Sequence, residues 1–469
     1  MRPFAAYLRS LNPRLPRSVQ TLQLGAFLNA FGNGIAYPFL FIYLHNVRGF
    51  SLGTTGLIVG TNAAVSLVAG PLAGALVDRV GGRKTLVASL LLLTVGFGSY
   101  PLVTVPWQGF VASAVAGVGN GAFWPSQSSL LAGLTPPDRT HSAWAMQRIV
   151  MNLGIGFGGL AGGLVASVSE PRTFTILFLA DAATFVLYIG ALAFVPEPSR
   201  ERRERGAAGG GYAEVLRNRV FLVLITLNFV LIAAGLALLE VFPAYAKNEV
   251  GVSERGIGVI FLVNTLVIGL AQLPISRLSE GRRRVPILAA VGVVSALAWA
   301  LVPAVGSAVS GTQAAILLCL VVSVFAIGEC LHGAVYAPLV VDLADRRLIG
   351  RYMAASAFSW SIGFAVGPAA AGFILAASPH ALWLLAAGVL LAMGIGSLWL
   401  ERALPEHAVR TPRAGQPEGV PATMPKPVMR MDDPLSTNAE PAPPQASTTG
   451  AERGSNGARA RTTPRRAQR

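Results

Sequence analysis

Long apolar segments recur along the chain as far as about residue 400. Twelve such runs alternate with short segments rich in charged residues, proline and glycine. A run of roughly 20 apolar residues is long enough to cross the hydrocarbon layer of a bilayer. Because no water is available there, a single segment must satisfy its own backbone hydrogen bonds, and it does so only as a helix. The pattern therefore predicts about twelve transmembrane helices.

The composition excludes an ordinary soluble protein. Only 13% of the 469 residues are charged and 53% are hydrophobic, whereas soluble domains carry about 25% charged residues. The net charge is +15, but the basic residues lie in loops and tails, so nucleic-acid binding is not predicted. Cys319 and Cys330 lie in one apolar run, which predicts neither a disulfide framework nor a metal site.

The basic residues also predict the orientation of the chain. If the N-terminus is cytoplasmic, 33 of the 37 lysine and arginine residues fall in segments on the cytoplasmic side. Cytoplasmic loops of membrane proteins carry such an excess. We therefore expect a multi-pass protein of a bacterial inner membrane with both termini in the cytoplasm. On this count no basic residue lies deep in the bilayer.

Breaks in the apolar pattern divide the chain into five predicted parts. These are a cytoplasmic N-terminus (1–20), a six-helix bundle (21–195), a cytoplasmic linker (196–219), a second six-helix bundle (220–400) and a disordered basic cytoplasmic tail (401–469).

An internal repeat relates the two predicted bundles. A shift of 202 residues aligns seven polar or glycine positions of the first half with similar positions of the second, among them Tyr43 with Tyr245 and Asn46 with Asn248. Parallel repeats of this kind are a transporter architecture, with the binding site between the repeats near the bilayer midplane.

The stretch GALVDRVGGRK, residues 74–84, resembles the signature loop between helices 2 and 3 of the major facilitator superfamily. The resemblance extends over about residues 20–400. It implies an all-α membrane protein with twelve transmembrane helices in two pseudo-symmetric six-helix bundles. In that family the loop latches the halves on the cytoplasmic side, so the resemblance predicts a cytoplasmic gate formed by Gly74, Asp78, Arg79, Gly81 and Arg83.

Two glycine-rich stretches carry the resemblance further. GIGFGGLAGG, residues 154–163, is similar to the helix 5 motif of antiporters, with Gly159 where that motif has proline, and GFAVGPAAAG, residues 363–372, is its counterpart in helix 11. Small residues allow membrane helices to pack closely, which predicts either a hinge between the halves or ordinary tight packing. The residues concerned are Gly154, Gly158, Gly162, Gly163, Gly363, Gly367, Pro368 and Gly372.

Polar residues inside predicted helices are costly in lipid, and they are candidates for a substrate cavity or for hydrogen bonds between helices. The candidates for the cavity are Asn29, Asn33, Tyr37, Asn120, Trp124, Gln127, Glu240, Glu329 and His332. The family's helix 4 commonly carries an arginine, but Ser113 stands at that position here. The resemblance therefore leaves the coupling mechanism open.

Three carboxylates lie within apolar segments, namely Asp181, Glu240 and Glu329. We expect no basic residue at their depth to pair with them. A carboxyl group in a low dielectric holds its proton until water reaches it, which is what proton coupling requires. Glu329 is the first candidate, because His332 lies three residues further along the same helix face. The alternative is a neutral structural carboxyl group.

These observations predict a secondary transporter that works by alternating access and is not an enzyme. No phosphate-binding loop for ATP is found, and the GxGxxG pattern at Gly154 lies inside an apolar helix, so neither ATP hydrolysis nor a cofactor is expected. The resemblance favours proton-coupled efflux of amphipathic, drug-like molecules by a monomer. The alternatives are a carrier for a sugar, amino acid or siderophore, a membrane-embedded enzyme, and a substrate sensor.

Overall fold

The computed structural model describes residues 15–136, 139–197, 212–345 and 348–411. Among these residues the chain forms twelve long helices: α1 Arg17–Ile42, α2 Leu52–Val80, α3 Gly82–Ser99, α4 Pro106–Leu134, α5 Thr140–Val165, α6 Arg172–Leu192, α7 Arg219–Ala234, α8 Glu254–Ser279, α9 Arg284–Ala308, α10 Gly311–Leu343, α11 Ile349–Ala377 and α12 Pro379–Leu400. Eleven of them are long and apolar enough to cross a membrane. The exception is α4, whose 29 residues include Asn120, Trp124 and Gln127. The predicted all-α membrane fold is confirmed.

The helices of the two halves pack in the same pattern. In the first half α1 packs against α5 and α6, and α4 packs against α2 and α3. In the second half α7 packs against α11 and α12, and α10 packs against α8 and α9. The halves meet mainly through two helix pairs, α2 with α11 and α5 with α8. The repeat exchanges these two pairs, so a pseudo-twofold axis runs between them.

Both of these helix pairs pack closely because glycines of one helix face backbone carbonyl groups of the other. A Cβ atom placed on Gly163 of α5 would lie closer than 3.0 Å to the carbonyl oxygen of Glu254 in α8. One placed on Gly372 of α11 would lie equally close to the carbonyl oxygen of Leu52 in α2. Glu254 is the position that a 202-residue shift assigns to Leu52. The two interfaces are therefore equivalent down to the contacting residues.

The same symmetry covers the position at which the two glycine-rich motifs differ. The carbonyl oxygen of Gly159 faces Gly258, and that of Pro368 faces Gly56; in both cases a Cβ atom on the facing glycine would lie closer than 3.0 Å. Because the contact is made by the backbone, proline and glycine at this position form it equally well. The missing proline in α5 does not remove the interface.

A second set of motif glycines packs inside each half. Gly154, Gly158 and Gly162 of α5 lie against the backbone of α1, and Gly363 and Gly367 of α11 lie against α7. Helices α5 and α11 are each enclosed by a helix of their own half and a helix of the other half. The predicted hinge residues thus divide between two kinds of interface, and the rocking motion itself stays a prediction.

Successive helices alternate in direction, so the loops fall on two sides of the bundle. We call the side that carries the loop between α2 and α3 the basic side, and the other the opposite side. On the opposite side Asn46 Nδ2 donates to Asn248 Oδ1 at 2.6 Å, and Asn248 Nδ2 donates back to Asn46 Oδ1 at 3.3 Å. The repeat equates these two residues, so the pair lies on the pseudo-twofold axis. It joins the halves on the opposite side.

The segment that follows α12 docks on the loop between α8 and α9. The backbone N–H of Gly281 donates to the carbonyl oxygen of Thr411 at 3.1 Å, and that of Arg284 donates to Val409 at 2.9 Å. The sequence predicts that the disordered tail begins at residue 401; within the described part of that segment, Val409 and Thr411 have backbone partners on this turn. The rest of the predicted tail (412–469), residues 1–14 of the N-terminus and residues 198–211 of the linker lie outside the described residues.

Gly158→Leu tests the close approach of α5 to α1. A Cβ atom at Gly158 would collide with the carbonyl group of Phe31, and overpacking of this kind costs about 1–3 kcal/mol. We expect a lower Tm in detergent. The control is Gly190→Leu on the exposed face of α6, where a Cβ atom meets no atom within 4 Å; equal Tm values for the two variants would contradict the proposed packing.

Candidate functional site

Arg148 lies between the two halves of the molecule. It follows the first residue of α5 by eight positions, which is about 12 Å along a helix at 1.5 Å per residue. Its Nη2 atom donates to Gln272 Oε1 of α8 at 3.0 Å, and a Cβ atom on Gly333 of α10 would lie 3.1 Å from the same nitrogen. A cation of the first half therefore contacts two helices of the second.

Glu329 of α10 is half-buried and lies within the electrostatic influence of Arg148. The sequence predicts that no basic residue pairs with this carboxylate; Arg148 acts on its charge without forming an ion pair with it in this structure. Arg148 is one of the 33 basic residues that the sequence assigns to the cytoplasmic side, although the apolar run that predicts the fifth helix begins near His141, two turns earlier. The depth of Arg148 could be read from its position within the predicted helix. The direction of its side chain towards α10 depends on how α5 packs.

His332 belongs to a network inside the second half. Its Nε2 atom lies 3.0 Å from Asn228 Oδ1, and Asn228 Nδ2 donates to Ser359 Oγ at 2.8 Å. The imidazole ring also stacks on Tyr336 at 4.8 Å between ring centroids. These contacts join α7, α10 and α11. They support the hydrogen-bonding role for His332 that was the alternative to a cavity role.

Glu240 lies at a break in the seventh helix. The sequence predicts a continuous helix over residues 220–245, but α7 ends at Ala234 and a 3₁₀ turn, Leu236–Glu240, precedes a short helix, Phe242–Asn248. Gly235 at φ −115° and ψ −88° makes the break. The Tyr37 hydroxyl group of α1 bonds to the Glu240 carboxyl group across the two halves. Glu240 and Tyr37 are therefore brought together, near the end at which the halves are joined.

The remaining polar candidates of α1 and α4 fall into two environments. Gln127 is buried inside the first half, where it bonds to Gln147 and accepts from the Tyr188 hydroxyl group. The side chains of Asn29, Asn33 and Asn120 are buried or half-buried; Asn120 Nδ2 donates to Asn62 Oδ1 at 2.9 Å. Trp124 is 51% exposed. The contacts of Gln127 and Asn120 support packing roles, and the exposure of Trp124 fits a surface that a ligand can reach.

Asp181 is fully buried on the side of the first half where α6 packs against α1. Its Oδ1 atom lies against Gly32, beside Thr184. Among the described residues neither carboxylate oxygen has a hydrogen-bond partner. Removal of an unpaired charge from water is costly, so the geometry favours a neutral carboxyl group. Asp181 is not brought together with Arg148 and Glu329.

The loop of the predicted cytoplasmic gate is held by its own half. Both oxygens of the Glu197 carboxylate accept from the backbone N–H of Arg83, at 3.2 and 3.3 Å, and Gly81 adopts φ +99° beside it. Asp78 and Arg79 are exposed, and a Cβ atom on Gly74 would meet no atom within 4 Å. In this conformation the contacts of Arg83 and Gly81 bind the loop to the segment after α6.

A family model for the Major Facilitator Superfamily matches residues 22–248 and 241–446. The chain belongs to the Major Facilitator Superfamily. The superfamily match agrees with the motifs and with the two equivalent sets of six helices. Among the described residues no group of three or more histidine, cysteine, aspartate or glutamate side chains is placed to hold a metal ion.

Curated relatives of the chain include multidrug resistance proteins. The chain is similar to the multidrug resistance protein MdtH of Cronobacter sakazakii, with 25% identity over 75% of this chain and 85% of that protein. It is also similar to an uncharacterized MFS-type transporter, YqjV, of Bacillus subtilis, with 24% identity over 76% of this chain and 85% of that protein. Both matches cover most of each chain.

Solved structures share the fold. The nucleoside transporter NupG superposes with a TM-score of 0.65 and 14% identity, over 82% of this chain and 99% of that one. A POT family transporter in complex with 5-aminolevulinic acid gives a TM-score of 0.69 with 15% identity, over 83% and 96% of the two chains. At these identities the comparison establishes the fold only.

Cysteine cross-linking tests the contact between the two halves on the opposite side. Asn46→Cys and Asn248→Cys, in a chain with Cys319 and Cys330 changed to alanine, place two thiol groups where two amide groups now bond. We expect a short bifunctional thiol reagent to join them readily and to arrest transport, because the halves can then no longer separate on this side. The single variants should retain transport after the same treatment. Cross-linking without loss of transport would contradict a motion at this end.

Proposed function

We propose that this protein is a proton-coupled exporter of amphipathic, drug-like small molecules that works by alternating access. The observation that carries the proposal is the placement of Arg148 and Glu329 on opposite halves, between the helices that join them. A carboxylate on one half attracts a cation on the other half, and protonation of the carboxylate weakens that attraction. That response is the elementary step of proton coupling.

The arrangement of contacts supports alternating access. On the opposite side the halves are joined by the Asn46–Asn248 pair and by the glycine contacts of α2 with α11 and α5 with α8. On the basic side the backbone of the loop between α2 and α3 is bound by Glu197 of its own half. We take the structure to be a state closed on the opposite side, which the orientation predicted by the basic residues makes the external side.

Protonation of Glu329 removes a negative charge that attracts Arg148. The guanidinium group then keeps its bond to Gln272 and loses its attraction to α10. The protonation state of Glu329 therefore changes the free energy that holds α5 of the first half against α10 of the second.

The proposed substrate class is inferred from the relatives and from the contacts of the polar candidate residues. Relatives named as multidrug resistance proteins match 75% of the chain. Several polar candidates, including Gln127 and His332, are engaged in packing inside one half, which leaves few fixed hydrogen-bonding groups for a single ligand. Loose recognition of amphipathic molecules follows. We take the protein to act as a monomer in a bacterial inner membrane with both termini in the cytoplasm.

A carrier for one defined metabolite is the second candidate. It is favoured by the opposite charges of Arg148 and Glu329, since fixed charges select a ligand of matching charge. Export of a single polar compound, with no effect on lipophilic ones, would favour the metabolite carrier. Covalent turnover of a compound without flux would point to an enzyme, and binding without flux to a sensor.

Glu329→Gln tests the coupling step. The amide keeps the size of the carboxyl group but cannot exchange a proton, so we expect proton-driven export in proteoliposomes to fall by at least about tenfold while the protein still assembles in the membrane. The control, Glu249→Gln, alters an exposed carboxyl group on the opposite side and should leave export unchanged. A protonophore should abolish export by the wild type and by the control. Full export by Glu329→Gln would refute the assignment.

A further inference from the structure

Arg148 and Glu329 form a charged site that occurs only once in the repeat. The position that a 209-residue shift relates to Arg148 is Ala357, and the position that a 202-residue shift relates to Gln272 is Gly70. The packing around the pseudo-twofold axis is otherwise equivalent, as the contacts of Gly163 and Gly372 show. The arginine and the amide that binds it are present on one side of the axis and are replaced by Ala357 and Gly70 on the other, so they are not needed to build the fold.

The geometry of Gly333 keeps this site open. Gly333 follows Glu329 by four residues, so the two lie on one face of α10, about one helical turn of 5.4 Å apart. A Cβ atom on Gly333 would lie 3.1 Å from Arg148 Nη2 and 3.3 Å from Gln272 Oε1. The absence of a side chain there provides the room that the guanidinium group occupies. Along α10, the carboxylate of Glu329 and the guanidinium group of Arg148 therefore lie about one helical turn apart.

From this arrangement we infer that the site selects dipolar substrates, amphipathic molecules that carry both an ammonium group and a carboxylate. The inference rests on the proposed transport function and specifies its substrate class. The ammonium group of such a molecule pairs with Glu329 while its carboxylate pairs with Arg148. Each of the two charged side chains then gains an opposite charge of the substrate as its partner.

Charge balance explains the selection. A purely cationic molecule that pairs with Glu329 brings a positive charge close to Arg148, and a purely anionic molecule that pairs with Arg148 brings a negative charge close to Glu329. Like charges repel, whereas a molecule that carries both charges offers each group an opposite charge. Gln272, which accepts from Arg148, is a neutral amide and provides no charge of its own. The charged groups that act on this position are Arg148 from α5 and Glu329 from α10; Cys330 and His332 of α10 lie within the influence of Arg148.

Four fluorescent probes with one aromatic body test the inference. Nε-dansyl-lysine is dipolar, dansyl-cadaverine is cationic, dansyl-aminocaproic acid is anionic and dansyl-butylamide is neutral. Binding to the full chain in lipid nanodiscs is measured by fluorescence anisotropy. We expect the wild type to bind the dipolar probe about tenfold or more tightly than each of the others, which corresponds to about 1.4 kcal/mol. Equal affinity for all four probes would overturn the inference.

Charge-removing variants identify the groups responsible. Arg148→Gln should reverse the preference towards the cationic probe, and Glu329→Gln should reverse it towards the anionic probe. Arg148→Lys keeps the charge and should keep the dipolar preference, so it also serves if Arg148→Gln does not fold. Arg255→Gln, at an exposed position near the first turn of α8, is the matched control and should behave as the wild type. An unchanged preference in both folded charge-removing variants would overturn the inference.

Flux measured with the same probes separates this inference from the proposed function. Transport of drug-like compounds without a dipolar preference would contradict the inference and leave the function standing. Dipolar preference in binding, with no flux of any probe or drug-like compound in proteoliposomes, would contradict the function and leave the charged site as a binding site.

Discussion

The absence of water inside a bilayer governs the way in which the two halves of this molecule meet. Each helix satisfies its own backbone groups, and between apolar surfaces in lipid there is little hydrophobic drive for association, so close packing must hold the helices together. The contacts of α5 with α8 and of α2 with α11 meet this need through glycines that admit a facing carbonyl group. Because these contacts involve few side chains, the two surfaces can part without leaving polar groups exposed to lipid.

Arg148 and Glu329 are charged residues on these largely apolar helices. Arg148 is placed where α5 faces α8 and α10, and Gly333 provides the space for its guanidinium group. Glu329 lies within the electrostatic influence of Arg148, so its protonation state concerns both halves. In the proposed mechanism the small-residue interfaces permit the motion, and these two charges make the motion depend on a proton and on a substrate.

Much of the fold could be predicted from the sequence, because hydropathy reports helices directly and the 202-residue repeat reports their symmetry. The residues that make the site were harder to predict. Arg148 lay within a predicted helix but was assigned to the cytoplasmic side, and its direction depends on the rotation of α5 about its axis. The break at Gly235 was not predicted because the mean hydropathy stays high across it. Gln127 was predicted as a cavity residue from its type and position alone, whereas its partners Gln147 and Tyr188 place it in the packing of the first half.

Paired distance measurements between spin labels test the central claim, which is that the two halves rock relative to one another. One pair, Lys84→Cys with Arg282→Cys, reports the basic side, and the other, Trp107→Cys with Ser310→Cys, reports the opposite side; all four positions are exposed. The labels are placed in a chain whose two native cysteines have been changed to alanine. On addition of substrate under a proton gradient, the account predicts a shorter distance on the basic side and a longer one on the opposite side. Distances that stay fixed, or that change in the same direction on both sides, would contradict it.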